Sequence, residues 1–316
     1  MPSFKSFLAS LAFAASLCLC ITQPAAAGAD KNKFTVGTLH VQVHGASGSP
    51  VILIPGLGSG PWVWQDTIKH MQAHHRVYVL TLAGFDGTKP PAKKTGLMQQ
   101  TEASLLQLIH DRKLDKPVLI GHSLGGTLAL AFAEKHSKRI SAVVAVDGLP
   151  IFPGFERMTA EQRKSAAERL RQATRNATPE QFHQQQIGYM QIMGVIDPAS
   201  AEKYGAMQAR SDPATVAQYL FEDLTTDLRP DLDRIKVPVL VISPYREADF
   251  KTAAASGRMP MMSEAQKRDY YRELLKGTPN LKVVSIAPAR HFVMLDQTGP
   301  FLQALDDFLK SPALQP

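Results

Sequence analysis

Pro117-Val118-Leu119-Ile120-Gly121-His122-Ser123-Leu124-Gly125-Gly126 is the stretch whose reading decides the fold. An apolar run stops at a glycine, one polar residue and a serine follow, and Leu-Gly-Gly leads into helix formers. The pattern predicts strand, sharp turn and helix, with Gly-x-Ser-x-Gly at the turn. A serine at so tight a turn is strained, and neighbouring chain passes close by. Side chains two residues before and after it would collide, so Gly121 and Gly125 leave the room. The turn lifts the Ser123 hydroxyl above the sheet edge. There it sits at a helix N-terminus, where partial positive charge favours an anion.

The segments on either side read as one alternating series. Phe34 to Leu39 and His40 to His44 alternate apolar and polar, predicting two antiparallel opening strands. Val51-Ile52-Leu53-Ile54, Arg76 to Leu82, Ile140 to Val146, Val237 to Ile242 and Leu281 to Ile286 are apolar runs suited to a buried parallel sheet. Helices are expected at Gln99–Arg112, Gly126–His136, Glu264–Lys276 and Phe301–Leu309, with an irregular loop over Ser243–Met262. Residues 151–230 hold no strand-like run. They carry capping boxes at Thr159–Gln162 and Thr178–Gln181, and further N-cap signals at Ser200 and Asp212. Strands alternating with helices predict an α/β fold with a mostly parallel, doubly wound sheet.

In its motifs and their order the chain resembles the α/β-hydrolase superfamily, in which Gly-His-Ser-Leu-Gly-Gly is a common nucleophile elbow. The resemblance makes Ser123 the nucleophile and turns residues 151–230 into a helical cap over the site, inserted between core segments 28–150 and 231–316. It implies that His291, in Ala289-Arg290-His291-Phe292-Val293-Met294-Leu295-Asp296, is the catalytic histidine. It also puts the oxyanion hole at the backbone N–H groups of Leu57 and Leu124. Pro55 stands where relatives usually carry the histidine of a His-Gly pair, a change that backbone donors tolerate. His122 is expected to support the elbow, because the turn points it away from the reaction.

The third catalytic residue is the open point. Family members usually place the acid shortly after the strand ending at Ile242, but here that position reads Ser243-Pro244-Tyr245-Arg246. Asp147 ends the strand that follows the elbow helix, where some members, haloalkane dehalogenases among them, carry the acid. Asp147 is preferred, with Gly148 giving the chain freedom to turn. Asp249 is the alternative acid and Glu247 the next. A serine at the elbow argues against chemistries that attack with a carboxylate, which leaves hydrolysis through an acyl-enzyme. The expected substrates are carboxylic esters or lactones. C–C bond hydrolysis, amide hydrolysis and perhydrolysis are rivals on the same fold, and a non-catalytic binding protein is a rival of another class. No cofactor or metal is called for. Tyr189, Met190 and Tyr219 are expected to line the substrate pocket from the cap.

The N-terminus carries Lys5, then an apolar run from Phe7 to Ile21, then Pro24-Ala25-Ala26-Ala27. That is the pattern of a secretory signal peptide over residues 1–27, and it places the mature chain in the periplasm or outside the cell. Both cysteines, Cys18 and Cys20, fall in that segment, so the mature chain has no disulfide to support its core. The formal charge of +7 is spread over scattered Lys and Arg without interleaved aromatics, which argues against nucleic-acid binding. No later stretch is apolar for long enough to insert stably in a membrane, and the sequence gives no sign of an oligomeric state.

Overall fold

The computed structural model describes residues 31–257 and 260–311; the expected signal peptide lies outside the described residues. Eight strands form one sheet: β1 Lys33–Val36, β2 Leu39–His44, β3 Ser49–Ile54, β4 His75–Leu82, β5 Val118–His122, β6 Ala142–Val146, β7 Val239–Pro244 and β8 Leu281–Ile286. Their order is β1-β2-β4-β3-β5-β6-β7-β8. β2 runs antiparallel to both of its neighbours, β1 and β4, and the other five pairs are parallel.

The apolar runs explain this arrangement, since each interior strand buries both faces. Leu119, Val143, Val239 and Val241 face one layer of core, while Ile120, Val144, Leu240 and Ile242 face the other. The two faces of a strand alternate residue by residue, so a continuous apolar run satisfies both at once. Each fully buried Val, Leu or Ile contributes about 1.5–3 kcal/mol, and these two layers hold the core without a disulfide.

The helices are α1 Gln65–Met71, α2 Leu97–Asp111, α3 Leu124–His136, α4 Ala160–Arg175, α5 Pro179–Tyr189, α6 Pro198–Gln208, α7 Pro213–Thr225, α8 Glu247–Ala255, α9 Glu264–Leu274, α10 Val293–Asp296 and α11 Thr298–Leu309. α4 to α7 lie between β6 and β7 and form the helical cap. Their starts follow the sequence chemistry. Thr159 with Gln162 and Thr178 with Gln181 close capping boxes, and Asp212 caps α7. Two expectations are corrected. The N-cap of α6 is Asp197 followed by Pro198, not Ser200, because proline at the first helical position fixes the start earlier. The segment after β7 holds helix α8, where a wholly irregular loop was expected.

The chain leaves β3 toward β4 on one side and returns as β5 on the other. A parallel sheet opens a crevice at the strand C-termini where its winding reverses. Ile54 of β3 pairs with Gly121 of β5, so the loop after β3 and the Ser123 turn meet there.

Candidate active site

Ser123 has φ 53° and ψ −122°, a conformation that non-glycine residues rarely adopt. Its surroundings enforce it. A Cβ on Gly121 would lie 2.0 Å from the Gly125 carbonyl oxygen, and one on Gly125 would lie 2.3 Å from that of Ile54. The first turn of α3 is therefore pressed against both β5 and the end of β3. The Ser123 carbonyl accepts the N–H groups of Gly126 and Thr127, at 2.8 and 3.0 Å.

The loop after β3 crosses directly over the elbow. A Cβ on Gly56 would meet Nδ1 of His122 at 2.7 Å and Cβ of Ser123 at 3.2 Å. Among the described residues, the N–H groups of Leu57 and Leu124 have no backbone acceptor, which leaves both free for an oxyanion. The cap grips the same loop. Gln208 Nε2 donates to the Leu57 carbonyl at 3.1 Å, and Ser211 Oγ donates to that of Gly58 at 2.9 Å.

His291 follows β8, and its Nδ1 lies 2.5 Å from Asp147 Oδ2. With Nδ1–H donated to the carboxylate, Nε2 is the nitrogen free to accept a proton. The His291 main chain is held from two sides. Its N–H donates to the Met193 carbonyl at 3.1 Å, and its carbonyl accepts from His122 Nε2 at 3.0 Å. Burial first, and then neighbouring His291, push the His122 ring well below the ordinary histidine value. It stays neutral, with its proton on Nε2. The cap segment Met190–Gly194 also takes the Phe292 N–H at 2.9 Å, so the cap is strapped to the histidine loop as well as to the Leu57 loop.

Asp147 ends β6 with φ 49°, a strained value like that of Ser123. The expectation that Gly148 supplies the turn is corrected. Asp147 itself takes the positive φ, and Gly148 serves close packing, since its Cβ would lie 2.6 Å from Cα of Gly126. Tyr271 of α9 donates its hydroxyl to the other carboxylate oxygen, Oδ1. Burial opposes ionisation of Asp147. The Lys267 ammonium, His291 and the Tyr271 hydroxyl outweigh it and hold the carboxyl well below the usual carboxylate range.

Of the candidate acids, only Asp147 is brought to His291. Asp249 sits on α8 and is clamped by Arg246 at 2.5 Å and by Arg290 Nε at 2.8 Å. Glu247 pairs with Lys251 at 2.9 Å on an exposed turn of the same helix. Of the three cap residues expected in the pocket, Tyr189 meets the site, its ring edge-on to His291 with centroids 6.2 Å apart. Met190 and Tyr219 do not. Both are buried in the core, Tyr219 against Phe85 with its hydroxyl 2.7 Å from that of Thr101. Three residues escaped the sequence reading: Tyr271, Lys267, and Asp223 on α7. Burial raises Asp223 to about 6 against the pull of the Thr127 hydroxyl and His291. No motif marks any of the three; only the four-residue spacing of Lys267 and Tyr271 puts that pair on one helix face.

A strained serine on an elbow, a histidine–carboxylate pair and two free backbone donors at the C-terminal edge of a parallel sheet define a hydrolase-type site. A model of the Alpha/beta hydrolase family matches residues 51–304, and the chain belongs to that family. Its relatives include the 1-acylglycerol-3-phosphate O-acyltransferase ABHD5 of Rattus norvegicus, 24% identical over 87% of this chain and 81% of that protein. The 2-hydroxy-6-oxo-2,4-heptadienoate hydrolase of Pseudomonas putida is 29% identical over 40% of this chain and 51% of its own. Among solved structures, the enol-lactonase of Burkholderia xenovorans superposes with a TM-score of 0.67 at 21% identity, covering 88% of this chain and 100% of the lactonase. The thermophilic esterase of Thermogutta terrifontis gives 0.67 at 22% identity, covering 88% and 98%.

Proposed function

We propose that the protein is an exported serine hydrolase that cleaves carboxylic esters or lactones through an acyl-enzyme on Ser123. The observation that carries this reading is the 2.5 Å pairing of His291 with Asp147 at the strand ends beside the Ser123 elbow. His291 Nε2 takes the Ser123 proton as Oγ attacks the substrate carbonyl. The N–H groups of Leu57 and Leu124 receive the developing oxyanion, each worth about 3 kcal/mol in the transition state. The imidazolium, stabilised by Asp147, returns the proton to the leaving alkoxide, and water repeats the sequence on the acyl-enzyme. No metal or cofactor enters these steps. The N-terminal pattern supports action outside the cytoplasm on small-molecule esters.

Similarity to the enol-lactonase and the esterase favours ester chemistry. Similarity to the Pseudomonas putida hydrolase keeps C–C bond hydrolysis as a second reading. A turnover screen with p-nitrophenyl esters of increasing chain length, lactones, anilides and a vinylogous diketone separates these. Ester or lactone turnover that disappears in Ser123→Ala is expected. Turnover of the diketone alone would establish the second reading, and saturable ligand binding with no turnover at all would establish a binding protein.

A further inference from the structure

The Asp147 side chain is only 12% exposed, and a carboxylate largely withdrawn from water is stable only when it is hydrogen-bonded and its charge is balanced. Its own N–H is spent on the Ile242 carbonyl at 2.9 Å. Among the described residues, its oxygens accept from two side chains alone, Oδ2 from His291 and Oδ1 from Tyr271. With the imidazole neutral, the pair carries one negative charge. Lys267, one helical turn before Tyr271 on α9, supplies the opposite one.

α9 is built to hold both residues in place. Its N-terminus is closed by the Ser263–Gln266 capping box, and the Met262 carbonyl just before it accepts the Tyr245 hydroxyl at 3.0 Å. Lys267 Nζ donates to the Pro244 carbonyl, and it lies 5.2 Å from the centre of the Tyr271 ring. Pro244 ends β7, the strand after which relatives usually carry the acid. In this chain that strand end anchors a cation directed at an acid on the neighbouring strand.

We propose that Lys267 and Tyr271 are positioning residues that fix the charge and orientation of Asp147, extending the Ser123–His291–Asp147 triad onto α9. The proposal rests on the serine-hydrolase reading and deepens it. The other groups that face the network are His122 and Tyr189 beside the Asp147–His291 pair, Asp223 beside His291, and Asp249 beside Lys267. His122 is neutral, and Asp249 is neutralised by its two arginines, so neither replaces Lys267.

The consequence is a defined change in pH dependence. A positive charge and a donated hydrogen bond both draw electron density from Asp147 and weaken its hold on the imidazolium. Removing either strengthens that hold on the protonated ring. The acid limb of any reaction that needs His291 as base then moves upward.

The test is the second-order rate of Ser123 phosphonylation by a fluorophosphonate from pH 4.5 to 9, which needs no knowledge of the natural substrate. Tyr271→Phe should move the acid midpoint up by about 0.5 unit and lower the plateau rate roughly tenfold, the scale of one charged hydrogen bond. Lys267→Met should move it up by about 1 unit, and Lys267→Arg should restore most of the wild-type profile because charge is kept. Melting curves accompany each variant. Folded Tyr271→Phe and Lys267→Met proteins with the wild-type midpoint would overturn the proposal, as would a loss of stability in Tyr271→Phe without a pH shift. If wild type is not labelled at Ser123 at all, the underlying hydrolase reading fails, and this proposal with it.

Discussion

Asp147 Oδ2 lies 2.5 Å from His291 Nδ1 across 144 residues of chain, joining the end of β6 to the loop after β8. In the proposed mechanism the acid therefore comes from the strand next to the elbow strand. Asp147→Asn should fold and lose about 10³–10⁴-fold in kcat, because the amide can turn its NH₂ toward the ring and favour the wrong tautomer. Asp249→Asn should lose less than tenfold in kcat. It should lower Tm by a few degrees, since its partly exposed arginine clamp is worth about 1 kcal/mol. Parallel assays in which Asp249→Asn is the inactive variant would reverse the assignment.

The cap residues separate into one that faces the reaction and two that pack. Tyr189→Ala should change acyl chain-length preference at nearly unchanged stability, because its ring meets His291 and remains partly exposed. Met190→Ala should cost about 2–5 kcal/mol as a core cavity. Tyr219→Phe should cost about 1 kcal/mol for the lost Thr101 hydrogen bond and leave the substrate profile alone. A shifted profile in Tyr219→Phe, or an unshifted one in Tyr189→Ala, would contradict this division.

Glu134, on α3 away from the site, has a buried Oε1 without a hydrogen-bond partner among the described residues. Burial, and then the charge of Asp231, push its carboxyl up to about 7. The folded state therefore holds this proton more tightly than the unfolded chain, whose glutamate titrates near 4.3. Stability falls as pH rises through that window and is fully reduced above 7. Glu134→Gln removes the charge. It should raise stability at pH 8 by about 1–2 kcal/mol, solvent near the carboxyl limiting the gain. The variant should leave stability at pH 4 unchanged. Paired denaturant titrations at the two pH values check it, and an equal effect at both would rule the explanation out.

The elbow was legible in the sequence because its glycines answer a local steric demand that only a few residues around Ser123 impose. The strands were legible because burial on both faces leaves a continuous apolar run, as in Val51–Ile54 and Ala142–Val146. The acid was only partly so. Ser243-Pro244-Tyr245-Arg246 excluded the usual position, but nothing local distinguishes a catalytic Asp147 from an aspartate that merely ends a strand. The roles of Tyr271 and Lys267 were invisible for a related reason. A lysine and a tyrosine four apart on a helix read as surface until α9 is packed against the end of β7. Met190 and Tyr219 were misplaced because large apolar residues in a cap have the same composition whether they face the pocket or the helices beneath it. Only their contacts with Phe85, Thr101 and the neighbouring core separate the two cases.

The central claim is that Ser123 forms the covalent intermediate, and intact-protein and peptide mass spectrometry after fluorophosphonate treatment tests it most directly. Wild type should gain one adduct, located on the peptide bearing Ser123. Ser123→Ala should gain none while melting like wild type, and its ester turnover should fall by several orders of magnitude, leaving only binding and the oxyanion hole. An adduct on another residue, or Ser123→Ala turning over esters at the wild-type rate, would contradict the account.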